Sequence, residues 1–182
     1  SLPETLIAPI DGAEMVRVPA GDFTKGITEE ELAQIFLLDK QENPIFASEV
    51  PARSLYLKDF YIDRYPVTNF QYQNFIKATG HREPMLLKHP LWGQAMRPVV
   101  FVGWDDARRY AEWAGKSLPT EEQWEKAGRG NDGRWWSWGH EFLPERCNSN
   151  EYGLGHTSKI GIFDQGISPY GCYDMCSNVW EM

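Results

Sequence analysis

The chain has 182 residues, of which 42% are hydrophobic, a size and composition that suit one globular domain with a substantial core. Its formal net charge of −8 at pH 7 argues against a nucleic-acid or anionic-membrane surface, because Lys and Arg are too few to neutralise phosphates at many points. No apolar run approaches the roughly 20 residues that a bilayer-spanning helix needs.

The numbers of cysteine and aromatic residues indicate the cellular compartment and the kind of fold. Three cysteines are an odd and small number, unlike the dense, even pattern of a secreted disulfide scaffold. We therefore expect a reducing compartment and a cytoplasmic protein, although the start at Ser1 rather than Met leaves a targeting segment ahead of it open. The 8 Trp indicate a loop-rich fold that is pinned by aromatic rings.

Two stretches predict β-strands. Residues 15–23 alternate apolar and other side chains before a turn, which is the period of a half-buried strand. Residues 54–63 are rich in aromatic and β-favouring residues, and Pro66 ends this second strand.

A Glu-rich stretch between these strands predicts a helix. Residues 28–43 carry apolar side chains at roughly helical spacing, and Thr28 and Glu31 have the spacing of a capping box. We place this short helix in an insertion over residues 27–50.

A second helix is predicted between Thr68 and Gly80. Gln71 follows Thr68 at the capping-box spacing, and Tyr72 and Phe75 give the helix an apolar face. Gly80 is placed to stop it, because glycine adopts the left-handed backbone of a helix end at little cost.

Two more helices follow at short intervals. In the first, Asp105 or Asp106 can accept hydrogen bonds from the free N–H groups of the helix start, and Gly115 lies beyond its end. In the second, Thr120 and Gln123 form another capping-box pattern, and the helix is expected to end near Gly128. The first of these helices has apolar residues at positions i, i+3, i+4 and i+7, which are Ala107, Tyr110, Ala111 and Ala114.

The segment after the last predicted helix, residues 129–182, is rich in Gly, Asn, Asp and Trp and predicts ordered loops.

Six motifs occur in one order along the chain and together resemble the formylglycine-generating-enzyme, or sulfatase-modifying-factor, family. The resemblance implies an α+β fold of the C-type-lectin-like class, loop-rich, with about three helices and short antiparallel strands, in a single domain over residues 1–182. The motifs are Met15-Val-Arg-Val-Pro-Ala-Gly-Asp-Phe23, Pro66-Val-Thr-Asn69, Val99-Val-Phe-Val-Gly-Trp-Asp-Asp-Ala107, Leu118-Pro-Thr-Glu-Glu-Gln-Trp-Glu125, Trp138-Gly139 and Tyr170-Gly-Cys-Tyr-Asp-Met-Cys-Ser-Asn-Val-Trp-Glu181.

The resemblance also implies where catalysis would lie. In enzymes of this family, two cysteines after the Asn-Val-Trp-Glu motif bind copper and oxidise a substrate cysteine to formylglycine with molecular oxygen. This sequence ends at Met182, ahead of that position, and has no counterpart of the family's later Gly-Gly-Ser-Trp-like and Gly-Phe-Arg stretches. The chain is therefore either a C-terminally incomplete fragment or an abbreviated relative. No catalytic residue is assigned within it, and copper is expected only if a later Cys pair exists.

Structural calcium is a further implication of the resemblance. At a first predicted calcium site, Asp174 and Glu181 would supply side-chain oxygens, and Ser177 and Val179 would supply backbone oxygens. Asp174 stands where some members have Asn, but it remains one of the oxygen ligands that calcium prefers.

A second predicted calcium site would begin at Asn148 and the carbonyl of Ser149. Its later ligands would fall in residues 151–155, which match the family poorly. An ion site and an Asn-rich turn without an ion therefore both stay open at this point.

The remaining chemistry-bearing residues have plainer interpretations. Cys147, Cys172 and Cys176 precede the position of the copper pair and are interpreted as small, partly buried residues, with a local disulfide or soft-metal site of the last two as the alternative. The Trp-rich stretch from Trp135 to Trp138 is interpreted as core and loop anchors rather than a platform for a sugar or peptide. The four histidines lack metal-site spacing and are interpreted as structural or surface residues, namely His81, His89, His140 and His156.

Two functions of different classes follow. The leading hypothesis is an oxidoreductase of the sulfatase-maturation type, acting on a cysteine of a sulfatase-like protein or peptide or on a small thiol. The alternative is a non-catalytic ligand-binding or display module on the same fold, such as a variable protein of diversity-generating retroelements. A Cys pair downstream would favour the enzyme, and variable aromatic and Asn codons would favour display.

Overall fold

In the part of the chain that the structure describes, two small antiparallel sheets combine with four α-helices and long loops. The computed structural model describes residues 2–38 and 43–182. Its strands are β1 (Thr5–Ile7), β2 (Glu14–Val18), β3 (Gly21–Lys25), β4 (Arg53–Leu57) and β5 (Phe60–Asp63). Its α-helices are α1 (Glu29–Leu38), α2 (Asn69–Thr79), α3 (Trp104–Trp113) and α4 (Glu121–Arg129). Short 3-10 turns occupy Pro44–Glu49, Pro144–Arg146 and Asp164–Gly166.

Each of the two predicted strands is interrupted in the structure. The first becomes β2 and β3, the second becomes β4 and β5, and β2 pairs with β5 while β3 pairs with β4. One sheet has the order β1-β2-β5, and the other joins β3 to β4. Val18 pairs with Phe60 at the end of one ladder, and Gly21 pairs with Leu57 at the start of the next, so the antiparallel register continues across the break. Pro19 lies in this break and has no backbone N–H to donate to a ladder. The alternation of apolar residues predicted the pairing surface but not the bend.

A buried lysine stabilises the bend. Lys126 of α4 is 1% exposed, and its Nζ donates to the carbonyls of Pro19 and Gly21 at 2.8 and 2.9 Å. Burial lowers the pKa of Lys126, and the nearby Asp22 carboxylate opposes this. One side chain thus donates to a carbonyl on each side of the bend.

The first two helices begin as predicted. The Glu31 N–H donates to Thr28 Oγ1 at 3.1 Å, and the Thr28 N–H donates to Glu31 Oε2 at 2.8 Å. α1 is described up to Leu38, so the predicted continuation through residues 39–42 lies outside the described residues. At α2, Thr68 and Gln71 form the capping box, and Gly80 ends the helix with φ 73°.

The last two helices differ from the prediction at one end each. Gly103 is the N-cap of α3, and its N–H donates to Asp106 Oδ2 at 2.9 Å, so the aspartate reaches back to the cap rather than occupying it. α4 opens on Thr120 as predicted but continues through Arg129 to Gly130, which has φ 75°. Gly128 lies inside the helix, where an added Cβ would approach Met175 Cε at 3.3 Å. It therefore serves close packing rather than helix termination.

Two apolar clusters form the core. Around the main sheet, the buried residues are Val16, Val18, Ala127, Cys172 and Met175. Between α2 and α3 they are Tyr72, Phe75, Tyr110 and Ala114. Beyond α4 the chain forms ordered loops and two 3-10 turns, as predicted. Within the described ranges, the helices are too short or too polar to cross a bilayer.

Candidate functional site

The segment from Tyr170 to Met182 is anchored in the core at its start and becomes exposed at its end. Cys172 and Met175 are buried against the main sheet, whereas Trp180 is fully exposed. Between them the backbone enters the left-handed region twice, at Asp174 with φ 61° and at Asn178 with φ 73°. Asp and Asn tolerate this region better than other side chains, so the turn depends on these residue types.

At the first predicted calcium site, the structure leaves oxygen atoms without protein partners. Asp174 Oδ2 and Ser177 Oγ are both buried, and among the described residues neither has a hydrogen-bond partner. Burial raises the pKa of Asp174 to about 6, and the nearby Asn178 side chain opposes this rise. A buried carboxylate oxygen without a donor is costly unless a cation, a water molecule or a proton satisfies it.

Glu181 borders the same segment. Its Oε2 accepts a hydrogen bond from Trp124 Nε1 at 2.9 Å. Burial of the carboxylate among protein atoms raises the pKa of Glu181, and the charge of Asp174 acts in the same direction. The residue as a whole is nevertheless exposed, so water weakens this effect.

The backbone ligands of the first site are partly engaged in the turn. The Val179 N–H donates to the Ser177 carbonyl at 2.9 Å. A carbonyl oxygen has two lone pairs, so this bond leaves Ser177 able to accept a second contact. Asp174, Ser177 and Val179 therefore lie in the turns and bends of residues 173–179, and Glu181 follows that segment.

The second predicted site is tied to the first by a pair of asparagines. Asn148 Nδ2 donates to the His156 carbonyl at 2.9 Å and to Asn178 Oδ1 at 3.0 Å. The Asn178 N–H in turn donates to the Asn148 carbonyl at 3.2 Å. Ser149 closes a local turn, because its Oγ accepts from the Tyr152 N–H at 3.3 Å. The structure thus brings Asn148 next to the first site while holding its amide in place.

The cysteines are free and occupy three different environments. Cys147 and Cys172 are buried, and Cys176 accepts hydrogen bonds from the Ser137 N–H at 3.3 Å. Burial raises the pKa of Cys172 to about 12 and also raises those of Cys147 and Cys176, although neighbouring serines oppose each shift. Reactive cysteines have lowered pKa values, so none of these thiols is activated. No disulfide joins Cys172 and Cys176, which agrees with the plainer interpretation.

The histidines that were considered as metal ligands also have different surroundings and different hydrogen-bond partners. His81 Nε2 lies 2.9 Å from Asp106 Oδ1, and His89 Nδ1 accepts from the Leu91 N–H at 3.2 Å. Across residues 2–38 and 43–182, the structure contains no group of three or more His, Cys, Asp or Glu side chains that could hold a metal ion.

The Trp-rich stretch acts as a set of loop anchors. Trp136 stacks on Trp138 with ring centroids 5.8 Å apart. Trp135 Nε1 donates to Glu31 Oε1 at 3.1 Å, and Trp138 Nε1 donates to the Glu141 carbonyl at 2.9 Å. These indole groups are satisfied by protein, as the core and anchor interpretation requires.

A cavity beside β5 was not predicted from the sequence. Its volume is about 350 Å³, and it lies between β5 and residues 179–182. The buried Tyr72 hydroxyl borders it and has no described partner, and Trp180 stands at its edge. No local pattern signals such a cavity, because its walls come from segments far apart in sequence.

The fold and these motifs define the class of the protein: it has the C-type-lectin-like α+β fold of formylglycine-generating enzymes. Among solved structures, PvdO from Pseudomonas aeruginosa superimposes with a TM-score of 0.69 at 25% identity, covering 96% of this chain and 72% of that one. A sulfatase-modifying factor enzyme 1-like domain matches residues 4–182. The chain therefore belongs to the sulfatase-modifying-factor, or formylglycine-generating-enzyme, family.

Relatives include enzymes, an inactive member and an uncharacterised protein. YfmG of Bacillus subtilis is 33% identical over 99% of this chain, which spans only 44% of YfmG. The formylglycine-generating enzyme of Streptomyces coelicolor is 30% identical over 91% of this chain and 67% of that enzyme. The inactive C-alpha-formylglycine-generating enzyme 2 of Bos taurus is 31% identical over 92% of this chain and 69% of that protein. Family membership alone therefore does not decide activity.

Proposed function

We propose that this chain is the fold-bearing part of an oxidoreductase of the formylglycine-generating type. Such an enzyme oxidises a cysteine side chain by two electrons to an aldehyde, the sulfur leaves as hydrogen sulfide, and molecular oxygen is reduced to water with two further electrons from a reducing thiol. The observation that carries the proposal is the family match over residues 4–182, together with the resemblance to the Streptomyces coelicolor enzyme. The partner would be a protein or peptide, sulfatase-like in the first instance, or a small thiol.

The described residues do not fit copper. Copper(I) prefers soft thiolates that converge on it, and thiolates form readily only where the thiol pKa is low. Cys172 packs in the core, and Cys176 is bound to Ser137, so the two closest thiols in sequence have separate partners and raised pKa values. A copper-binding cysteine pair would have to come from outside residues 1–182, and we assign no catalytic residue within them.

Calcium fits better, as a structural ion at the first predicted site. Asp174 Oδ2 is a buried oxygen without a described donor, and Glu181 adds a second carboxylate further along the same segment. Together with the Ser177 and Val179 carbonyls, these are the hard oxygen ligands that calcium requires. The second site is weaker because residues 151–155, where its later ligands would lie, match the family poorly; the bonds of Asn148 Nδ2 and Ser149 Oγ do not use the predicted ligand oxygens.

A non-catalytic binding module is the second candidate function. It is favoured by the 31% identity to an inactive formylglycine-generating enzyme 2 and by the absence of an activated thiol among the three cysteines. Such a module would use the same fold to hold a ligand without oxidising it.

Mass spectrometry of a peptide substrate separates these functions. A peptide with the Cys-x-Pro-x-Arg pattern is incubated with copper, oxygen and a reducing thiol, using residues 1–182 in one arm and the protein as its source produces it in another. For the enzyme we expect the second arm to lower the peptide mass by about 18 Da, the change from thiol to aldehyde, while the first arm leaves the peptide unchanged. An unmodified peptide in both arms favours the binding module.

The Streptomyces coelicolor enzyme serves as the positive control. If residues 1–182 alone oxidise the peptide, our exclusion of copper from these residues is wrong. Cys172→Ser and Cys176→Ser would then identify the thiol involved.

A further inference from the structure

Asn178 lies between two predicted ligands of the first site, Ser177 and Val179, but its own side chain turns toward the other loop. Asn178 Oδ1 accepts from the Ser158 N–H at 2.9 Å and from Asn148 Nδ2 at 3.0 Å. Neither prediction from the sequence assigned this residue a role.

These bonds fix the amide of Asn148. Both hydrogens of its Nδ2 are used, one by the His156 carbonyl and one by Asn178 Oδ1. An asparagine amide has one nitrogen and one oxygen at opposite corners, so this arrangement directs the Asn148 oxygen away from Asn178. The backbone bond from the Asn178 N–H to the Asn148 carbonyl, 3.2 Å long, holds the two segments at a fixed separation.

The backbone at Asn178 makes the arrangement depend on the turn of the first site. The backbone of Asn178 is left-handed, with a φ of 73°. The backbone of Asp174, earlier in the same segment, is also left-handed, with a φ of 61°. Any change that reorders residues 174–181 must therefore move the group to which residues 148 and 158 are bonded. The link is short, and the described side chains around it are largely enclosed by protein.

We propose that Asn178 is a positioning residue that couples the two loops, so that calcium bound at Asp174 and Glu181 also orders residues 148–158. The proposal rests on the calcium site of the proposed function. It adds that the second loop is ordered by the ion through its bonds to Asn178. Because Asn178 Oδ1 accepts from both Asn148 and Ser158, removing the Asn178 side chain should break more of the link than removing that of Asn148.

Hydrogen exchange of backbone amides, with calcium or with a chelator, tests the coupling on residues 1–182. In the wild-type protein we expect calcium to slow exchange about tenfold in both 174–181 and 148–158, within the usual range of coupling between sites. Asn178→Gly retains the left-handed backbone but removes the side chain. It should keep the protection of 174–181 and lose that of 148–158.

Three further variants complete the design. Asn148→Ala leaves the bond from the Ser158 N–H to Asn178 in place, so it should lose only part of the calcium-dependent protection that Asn178→Gly loses. The double variant should lose no more of it than Asn178→Gly does. Asn150→Gly is the matched control, because it removes an exposed asparagine side chain from the same loop.

The outcomes are distinguishable. No calcium-dependent protection at 174–181 in the wild-type protein overturns the calcium site and the coupling with it. Protection of 174–181 alone in the wild-type protein, or of both loops in Asn178→Gly, overturns the coupling and leaves the calcium site standing. Should Asn178→Gly fail to fold, Asn148→Ala removes one of the two bonds to Asn178 Oδ1 and should lower the calcium-dependent protection of 148–158; unchanged protection there overturns the coupling.

Discussion

Among single residues, Asp106 shows how one carboxylate can join a loop to the start of a helix. It accepts hydrogen bonds from the Gly103 N–H at 2.9 Å and from the Arg82 guanidinium, and it lies 2.9 Å from His81 Nε2. Burial alone would raise the pKa of Asp106, but the bonds from Arg82, Gly103 and His81 lower it to about 2. Because the folded pKa is below the ordinary value of about 3.9, this carboxylate stabilises the protein above that pH.

Asp106→Asn should therefore lower the free energy of unfolding at pH 7, by about 1–3 kcal/mol, because it removes the charge that Arg82 and Gly103 contact. The difference from wild type should shrink as pH falls from 4 toward 2, where the wild-type carboxylate is itself protonated. Urea denaturation at pH 7, 5 and 3 measures it. Asp105→Asn is the control, since the Asp105 side chain is 78% exposed and should matter little. A pH-independent difference would contradict the assignment.

The contacts of a second single residue, Asn178, could not be predicted from the sequence. The sequence shows only an asparagine in a turn, and a pattern of residue types does not say which distant carbonyl or amide a side chain will meet. Asp174 was named from the family resemblance. The pairing of Asn178 with Asn148, which lie far apart in sequence, is visible only in three dimensions.

At the scale of elements, helix starts were predicted best, because capping is local in sequence. The pairs Thr28–Glu31, Thr68–Gln71 and Thr120–Gln123 all form. The two predicted strands were found in the correct places, but the break in each was missed; the break at Pro19 is stabilised by Lys126, which lies far along the chain. α4 ends at Arg129, one residue beyond the Gly128 near which it was predicted to end, and Gly128 packs against a distant methionine.

Thr120→Ala tests the cap of α4. Thr120 Oγ1 accepts from the Gln123 N–H at 3.2 Å, and the Thr120 N–H donates to Gln123 Oε1 at 2.9 Å. Losing the threonine oxygen leaves a helix N–H without its partner, so we expect a loss of about 1 kcal/mol in unfolding free energy. Chemical denaturation measures the loss, and Thr120→Ser, which keeps the hydroxyl, should recover most of it. An unchanged midpoint for Thr120→Ala would show that the cap contributes nothing.

For the whole molecule, the first predicted calcium site gives a global test. Calcium that binds only the folded protein adds about 2.7 kcal/mol of stability at 100 times its dissociation constant. The melting temperature should therefore rise with calcium and fall with a chelator. Asp174→Ala should abolish the response, because it removes the buried carboxylate. Melting curves that superimpose at high calcium would remove the ion from the proposed function.

The candidate site was predicted only in part, for reasons that also belong to this scale. Family resemblance supplied a set of candidate oxygen ligands between Asp174 and Glu181, and the structure places that segment between the core and an exposed end. The cavity beside β5 and the link between Asn148 and Asn178 depend on the packing of segments far apart in sequence. Long-range geometry of this kind is what a one-dimensional pattern lacks.

The hairpin of β3 and β4 has one more consequence, for protein engineering. Its base is closed by the bond from the Ile27 N–H to the Glu49 carbonyl at 3.0 Å, and the Gly26 N–H is held by Glu125 Oε1 at 2.8 Å. The entropy of closing a loop grows only slowly with its length. Residues 43–48 lie beyond α1 and are mostly exposed, so they can be lengthened or exchanged with little effect on the strands, whereas Glu31 and the buried Leu32 of α1 should be kept. Residues 43–48 are therefore a site for grafting a tag or a foreign binding loop, far in sequence from the predicted calcium site.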